Sequence, residues 1–235
     1  NKSKKYALLI GNNNYKFFPK LKSPINDINK IGKTLFNKFG YDVIYIKNGT
    51  NKKINQELNK LKDKVSYDDS VLIYYAGHGK FDEEIDVGYW IPVDGEIDID
   101  TDWITNYKIT KKLKAFKSRK IAVIADSCYS GTLFRGVTIN EKDFNKKNIN
   151  TRVAMTSGGL EPVLDSIGDE NSLFANLINE SLNKGKNKIF LSKIFSEIQL
   201  EFNKLIKKGV LDQVPQYAPL IKSGHKGGDY IFEKK

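Results

Sequence analysis

The chain has 235 residues, 40% of them hydrophobic and 11% aromatic, which fits one large globular domain better than two small ones. No apolar run approaches the roughly 20 residues of a membrane helix, and the opening NKSKKYALLIG leads into a strand-like run, so we expect neither a membrane segment nor a signal peptide. The single cysteine excludes an internal disulfide and a multi-thiolate zinc site, and it suits a reducing, cytoplasmic location.

The formal net charge of +11 raises the question of nucleic-acid binding. Among 39 basic residues only Arg119, Arg135 and Arg152 are arginine, and the lysines are spread along the whole sequence. Nucleic-acid binders tend to concentrate charge on one face and to use arginine for bidentate contacts. We therefore expect no specific nucleic-acid partner, and we interpret the lysines as a solvated surface.

Apolar runs and helical spacings alternate along the chain. After a strand at 5–11, Ser23 and Pro24 have the character of an N-cap and a first helical residue, and Gly40 ends that helix. Further strands are predicted at 41–46, 70–79, 120–126 and 152–158, with an irregular one at 87–95. Further helices are predicted at 54–65, 106–117, 173–182 and 194–205, and the tail ending in GGDYIF is predicted to be an edge strand.

Continuous apolar strands separated by helices predict an α/β fold with a mainly parallel central sheet flanked by helices on both faces. Binding sites in such sheets lie outside the carboxyl ends of the strands. Two strand ends carry reactive side chains here, in YYAGHG at 74–79 and in ADSCYSG at 125–131.

The histidine and the cysteine of these two segments form a candidate catalytic pair. If their strands are parallel neighbours, His78 and Cys128 meet on the same rim, where an imidazole can lower the pKa of a thiol and later protonate a leaving amine. The backbone N–H groups of Gly79 and Cys128 are candidates for an oxyanion hole. The alternative interpretation is a buried inert cysteine and a surface histidine on a glycine turn.

The same motifs, together with ALLIGNNNY and the PINDI helix, resemble the caspase-like cysteine peptidases of clan CD, peptidase family C14, with the metacaspase and bacterial caspase-family branch most similar. MTSGGLEPVLD, SLFANLI and the segment 215–232 resemble the small-subunit half of that branch. The resemblance implies a caspase-like fold in one domain over 1–235, with residues 1–135 large-subunit-like, 136–151 a linker and 152–235 small-subunit-like. It also implies a cysteine endopeptidase with His78 and Cys128 as its dyad.

The resemblance further implies a substrate preference. In metacaspases, acids at the positions of Asp27 and Asp126 form the S1 pocket, which accepts the arginine or lysine before the scissile bond. We therefore expect protein or peptide substrates with a basic residue at that position. The alternatives are compensation of the helix dipole for Asp27 and a loop-ordering hydrogen bond for Asp126.

Two departures from the metacaspase pattern affect this pocket. Ala76 stands where a serine often precedes the Gly-His-Gly, and Pro24 stands where a cysteine often precedes the pocket aspartate, so the preference between arginine and lysine stays open. Glu161 and Asp165 are further candidates for substrate binding, since both are carboxylates in the GGLEPVLD loop.

The acidic stretch 81–103 lacks the spacing of an EF-hand. In calcium-dependent metacaspases an aspartate lies seven residues after the nucleophile, where this chain has Arg135. We expect no cofactor, no metal and no calcium requirement, and we interpret the acids as a solvated loop or as a rim that attracts basic substrates.

Two further features, a lysine-containing segment and the second histidine, each have a functional and a purely structural interpretation. The segment 136–152 offers Lys142, Lys146 and Lys147 for self-cleavage, although a plain surface loop explains it as well. His225, near a glycine-rich chain end, is interpreted as a loop-ordering residue.

Three hypotheses follow. The leading one is an endopeptidase that acts through a thioester and cleaves after arginine or lysine. The second is a catalytically inactive caspase-like module that binds peptides, and the third is a nucleic-acid-binding domain whose DNA binding would fall steeply with salt. A regulatory domain or partner outside this chain is compatible with the first two.

Overall fold

The computed structural model describes residues 3–127, 149–158, 170–220 and 222–235. The strands of this part of the chain are β1 (Lys5–Gly11), β2 (Asp42–Lys47), β3 (Ser70–Ala76), β4 (Gly79–Asp82), β5 (Val87–Trp90), β6 (Ile104–Thr105), β7 (Lys120–Asp126), β8 (Thr151–Thr156), β9 (Lys188–Phe190), β10 (Gln216–Pro219) and β11 (Ile231–Glu233). Six of them form the central sheet in the order β10-β8-β7-β3-β1-β2. All neighbours in this sheet are parallel except β10 and β8, which confirms the predicted mainly parallel sheet.

Helices cover both faces of the sheet, as predicted. They are α1 (Pro24–Thr34), α2 (Asn51–Lys64), α3 (Asn106–Lys114), α4 (Leu173–Lys184) and α5 (Leu191–Lys207). The apolar residues of α1, α4 and α5 pack on one face, and those of α2 and α3 pack on the other. A π-helical turn at Leu35–Phe39 extends α1, and Gly40 ends it with a left-handed φ of 71°. No helix among the described residues is both long enough and apolar enough to cross a membrane.

The start of α1 differs from the prediction. The side chain of Ser23 makes no capping hydrogen bond. Instead the Asn13 side chain, in the loop after β1, accepts a hydrogen bond of 2.9 Å from the backbone N–H of Ile25. The loop therefore replaces the local cap and fixes the start of α1 against the end of β1.

Two strands differ from their predictions. The strand predicted at 70–79 is shorter, and the strand predicted in the tail belongs to another sheet. β3 ends at Ala76, and Gly79 begins β4, which forms a small antiparallel sheet with β5 and β6. In the tail, β11 pairs with β9 in a separate two-stranded sheet, and β10 is the edge strand of the central sheet.

A buried arginine joins the two halves of the chain. Arg152, in β8, is only 3% exposed, and its guanidinium donates to the carbonyls of Leu113, Phe116 and Ser118. These carbonyls lie in the last turn of α3 and the loop after it, where backbone oxygens have no helical partner. Arg152 of β8 thus supplies hydrogen-bond donors to the free backbone carbonyls at the end of α3.

Candidate active site

The carboxyl ends of β3 and β7 lie side by side. Ala76, the last residue of β3, is in register with Asp126, the last residue of β7, and the N–H of Gly77 donates to the carbonyl of Asp126 at 3.3 Å. On the other side of β3, the N–H of Asn12 donates to the carbonyl of Ala76 at 3.0 Å. The carboxyl ends of β1, β3 and β7 therefore lie together at one edge of the sheet, which is where the sequence predicts the site.

The backbone of His78 is fixed on both sides. Its N–H donates to the hydroxyl of Tyr15 at 2.8 Å. Its carbonyl accepts from the N–H of Ile91 at 3.0 Å and lies 2.6 Å from the hydroxyl of Tyr75. Two buried tyrosines, one from the loop after β1 and one from β3, thus set the position of this residue.

The imidazole of His78 is oriented by a backbone carbonyl. Its Nε2 lies 2.7 Å from the carbonyl oxygen of Pro19, and the ring centre lies 4.6 Å from that of Tyr15 and 5.7 Å from that of Phe18. A carbonyl oxygen only accepts, so the neutral ring carries its proton on Nε2 in this arrangement. This tautomer makes Nδ1 the basic nitrogen of His78.

Gly77 is required by the close approach of the two tyrosines. A Cβ at this position would lie 2.4 Å from the Tyr15 hydroxyl and 2.9 Å from the Tyr75 hydroxyl. We expect Gly77→Ala to reduce the free energy of unfolding by roughly 1–3 kcal/mol, because one or both hydroxyls must move. Urea denaturation measures this loss.

The matched variant for Gly77→Ala carries Tyr15→Phe in addition, because phenylalanine removes the nearer oxygen. The double variant should lose less stability than the sum of the two single variants. Full additivity, or a Gly77→Ala protein as stable as the wild type, would contradict the proposed clash.

Asp27 and Asp126 form a buried pair of carboxylates between the sheet and the α1–α4 layer. Asp27 is fully buried in the first turn of α1, and Asp126 is 7% exposed at the end of β7. Both are held by Ser172, the N-cap of α4. Its N–H donates to Asp27 Oδ1 at 3.0 Å, and its hydroxyl donates to Asp126 Oδ2 at 2.5 Å.

The pair is electrostatically strained. Burial, followed by the charge of Asp126, raises the pKa of Asp27 from 3.8 to about 7, while hydrogen bonds from Asn171, Ser172 and Ser23 oppose the shift. Burial and the charges of Asp126 and Asp27 likewise raise the pKa of Tyr74, whose side chain is fully buried. Two negative charges close together in a low-dielectric site favour a proton or a bound cation.

The raised pKa predicts a pH-dependent stability. Asp27 ionises near pH 3.8 when the chain is unfolded and near pH 7 when it is folded, so the folded state holds the extra proton between these values. Its contribution to the unfolding free energy therefore falls as pH rises from about 4 to about 7, and it is constant above. We expect ligand-free Asp27→Asn to gain stability relative to wild type as pH rises through this window.

Urea denaturation of both proteins between pH 4.5 and 8.5 measures this difference, since most other titrations are shared and cancel. If the difference in unfolding free energy between the two proteins does not change with pH, the pKa of Asp27 is not raised in the folded state.

With this geometry in place, the chain can be compared with known proteins. The family model of the caspase domain, peptidase C14, matches residues 4–222. The chain belongs to the caspase-domain family. The sequence-based resemblance is thereby confirmed.

Two curated proteins show local similarity to this caspase domain. Human mucosa-associated lymphoid tissue lymphoma translocation protein 1 is 36% identical over 93 residues, which cover 38% of this chain and 11% of that protein. Metacaspase-6 of Arabidopsis thaliana is 29% identical over 147 residues, which cover 55% of this chain and 39% of that protein. The chain therefore spans less than half the length of either relative.

Solved structures agree on the caspase fold. Caspase-1 of Spodoptera frugiperda superimposes with a TM-score of 0.68 at 14% identity, over 100% of this chain and 93% of that one. A Geobacter sulfurreducens protein gives 0.68 at 15% identity, over 98% and 100%. At this identity the likeness concerns the fold, and it confirms the predicted caspase-like architecture.

The remaining candidates of the caspase domain are distributed as follows. Ala76 is buried and faces the same side of the sheet as Asp126. Gly79 is paired with Trp90 at the start of β4. Cys128, Glu161, Asp165, Arg135 and the linker lysines Lys142, Lys146 and Lys147 lie outside the described residues.

His225 lies at the opposite edge of the caspase domain. Its Nδ1 accepts a hydrogen bond of 2.9 Å from the N–H of Arg152, at the amino end of β8. This contact fits the interpretation of His225 as a loop-ordering residue.

The acidic stretch forms the β4–β5–β6 lobe beside His78. Within it, Asp82 accepts from the N–H of Glu84 at 3.0 Å, and Asp94 accepts from that of Asn51 at 2.9 Å. Among the described residues, no three His, Cys, Asp or Glu side chains are grouped as a metal site. Calcium independence stays a prediction.

Sequence reasoning missed Pro19 and Ser172. Pro19 acts through its backbone carbonyl, and because every residue has one, the sequence gives no sign of this role. Ser172 had a signal, since a serine preceding a helical apolar pattern is a typical N-cap. Its second role, holding two acids that lie 145 and 46 residues away in sequence, depends on the folded arrangement.

Proposed function

We propose that this caspase domain is a cysteine endopeptidase in which Cys128 is the nucleophile, His78 is its acid–base partner, and the residue before the scissile bond is arginine or lysine. The proposal rests chiefly on the register between Ala76 and Asp126. His78 and Cys128 each follow these residues by two positions. Two residues span at most roughly 7 Å, and this short reach from adjacent strand ends supports the proposal that His78 and Cys128 act together.

The tautomer of His78 supports its role. With Nε2–H directed at the Pro19 carbonyl, Nδ1 has a lone pair for the thiol proton. Protonation of the imidazole then leaves both N–H groups as donors, one to Pro19 and one to the leaving amine.

The β4–β5 pairing supports Gly79 as an oxyanion donor. The N–H of Ile91 donates to the carbonyl of His78, and Gly79 is paired with Trp90. In an antiparallel ladder, the residue after such an acceptor directs its own N–H away from the partner strand. The N–H of Gly79 is thus available to a substrate, and that of Cys128 would be the second donor.

The proposed reaction has two steps. His78 takes the proton from Cys128, whose sulfur attacks the scissile carbonyl carbon, and the negative charge moves to the carbonyl oxygen. When the carbon–nitrogen bond breaks, His78 gives the proton to the amine and a thioester remains. In the second step His78 takes a proton from water, hydroxide adds to the thioester, and the thiolate leaves as the acid product forms.

The carboxylate pair supports a basic substrate residue. Burial, followed by the negative charge of Asp126, raises the pKa of Asp27 to about 7, so this carboxyl is partly protonated near neutral pH. An arginine or lysine side chain would compensate both charges, whereas an aspartate would be repelled. The nine carboxylates in 81–103, with no lysine or arginine among them, would in addition attract basic substrates to this side of the domain.

A positional peptide library, scanned with wild type and Cys128→Ala, tests the proposal. We expect turnover after arginine and lysine by the wild type only, and covalent labelling of the wild type only by an arginyl or lysyl electrophile. Labelling without turnover would indicate a peptide-binding module, and turnover only after aspartate would contradict the role of the acid pair.

A further inference from the structure

The face of the domain formed by α2 and α3 is strongly basic. Residues 106–120, which comprise α3 and the loop after it, carry seven lysine or arginine side chains and no carboxylate. In α2 there are five lysines and two acids. Both helices pack on the same face of the sheet, so these charges share one surface.

Contacts between the helices bring the lysines together. The ammonium group of Lys112 donates to Asn59 Oδ1 of α2 at 2.7 Å. Partial burial and the charges of Lys108 and Lys62 lower the pKa of Lys112. None of the four lysines on α3 forms an ion pair with a carboxylate of the described residues. Within the described residues, carboxylates therefore compensate lysines of α2, which pair with Glu57, Asp63 and Asp42, but not those of α3.

The other helices that flank the sheet contain carboxylates that pair with their lysines. On α2, Lys53 and Lys60 pair with Glu57, and Lys62 pairs with Asp63. On α4, Lys184 pairs with Glu180 at 2.8 Å, and on α5, Lys204 pairs with Glu201 at 3.0 Å. Residues 106–120 differ from these helices because they contain no carboxylate of their own. This local excess of positive charge indicates that the α2–α3 face meets an anionic partner.

Exposed tyrosines lie among these cations. Tyr107, at the start of α3, is 55% exposed, and the Lys111 ammonium lies 5.2 Å from its ring centre. A hydrogen bond from Lys111, together with the charges of Lys111 and Lys222, lowers the pKa of Tyr107. Beyond the end of α2, Tyr67 is 58% exposed, with the Arg119 guanidinium 4.5 Å from its ring centre.

We propose that the α2–α3 face binds single-stranded nucleic acid without sequence preference. Lysines along a surface contact phosphates, and exposed aromatic rings beside them provide stacking platforms for bases. An acidic protein would use the charges but would not need the rings. The sequence analysis kept a nucleic-acid-binding domain as an alternative but located no site for it, because α2 and α3 are separate in the chain and become adjacent only in the fold. The inference is independent of the proposed peptidase activity.

Fluorescence anisotropy with labelled oligo(dT) and oligo(U) of about 20 nucleotides tests it, using Cys128→Ala protein. We expect binding whose logarithm falls linearly with the logarithm of salt concentration. Replacing Lys108, Lys111 and Lys114 by glutamine should reduce that slope by about 2, since each lost phosphate contact contributes about 0.7 for a single strand. Tyr107→Ala should weaken binding about tenfold, and Tyr107→Phe should retain it.

The matched control replaces Lys193, Lys207 and Lys208, exposed on and just after α5, by glutamine, which changes the net charge equally. This triple variant should bind almost as the wild type does. An equal loss in both triple variants, equally strong competition by poly(glutamate), or no oligonucleotide binding at 50 mM salt (roughly the low end of such titrations) would overturn the proposal.

Discussion

Replacing His78 by alanine is expected to lower kcat for peptide hydrolysis by about 10²- to 10⁴-fold, the range that a positioned acid–base group contributes. The imidazole is held by the Pro19 carbonyl at 2.7 Å, and its backbone is held by Tyr15, so it is oriented before any substrate arrives. Alanine removes both the acceptor of the thiol proton and the donor to the leaving amine.

Initial rates with a fluorogenic peptide measure this effect, and the second histidine offers a matched control. His225 accepts from the backbone of Arg152 at the far edge of the sheet, and asparagine can preserve that acceptor. His225→Asn should hydrolyse the peptide nearly as fast as wild type, with thermal unfolding followed in parallel. A His78→Ala enzyme within threefold of wild type (roughly 0.7 kcal/mol) would refute the assignment.

Neutralising the acid pair should remove the proposed preference for basic substrates. Breaking a buried charge pair by removing one partner costs about 3–5 kcal/mol, so Asp27→Asn or Asp126→Asn should lower kcat/KM for a lysine substrate by about 10²- to 10⁴-fold. The matched norleucine substrate has no ammonium group and should be affected little. The ratio of kcat/KM for lysine over norleucine therefore measures the contribution of the pair.

A control aspartate is available at the other edge of the sheet. Asp69 is 6% exposed and accepts hydrogen bonds from the N–H groups of Lys4 and Ser66, so Asp69→Asn makes the same chemical change far from the pocket. It should leave the lysine-to-norleucine ratio unchanged. An unchanged ratio in both Asp27→Asn and Asp126→Asn would contradict the proposal that these two carboxylates bind the basic side chain of the substrate.

The same substitution separates function from folding. Asp27→Asn removes the cost of burying the Asp27 charge and its repulsion by Asp126, so above pH 7 the variant should unfold at a higher denaturant concentration than the wild type while cleaving lysine substrates more slowly. A variant that lost both stability and activity would indicate that Asp27 is structural.

The sheet and its active edge could be predicted from the sequence, because apolar strands and the residues that end them are local signals. β7 is predicted within its observed bounds, and β3 is too long by three residues because Gly77 turns the chain out of the sheet. The short strands β9 and β10 have three and four residues, too few for a periodic pattern, and were missed. The carbonyl of Pro19 and the adjacency of Lys112 and Asn59 depend on tertiary contacts that no local pattern encodes.

Many contacts hold together the two parts of the chain that lie before and after the connection between β7 and β8. β8 adds to β7 along the sheet, Arg152 satisfies the end of α3, and Asn171 and Ser172 hold Asp27 of the first helix. Each half alone would expose an open strand edge, and the second half would also expose an arginine without its acceptors. A break in the connection between β7 and β8 would therefore leave a tightly associated heterodimer of fragments, and the domain could be assembled from two separately encoded polypeptides.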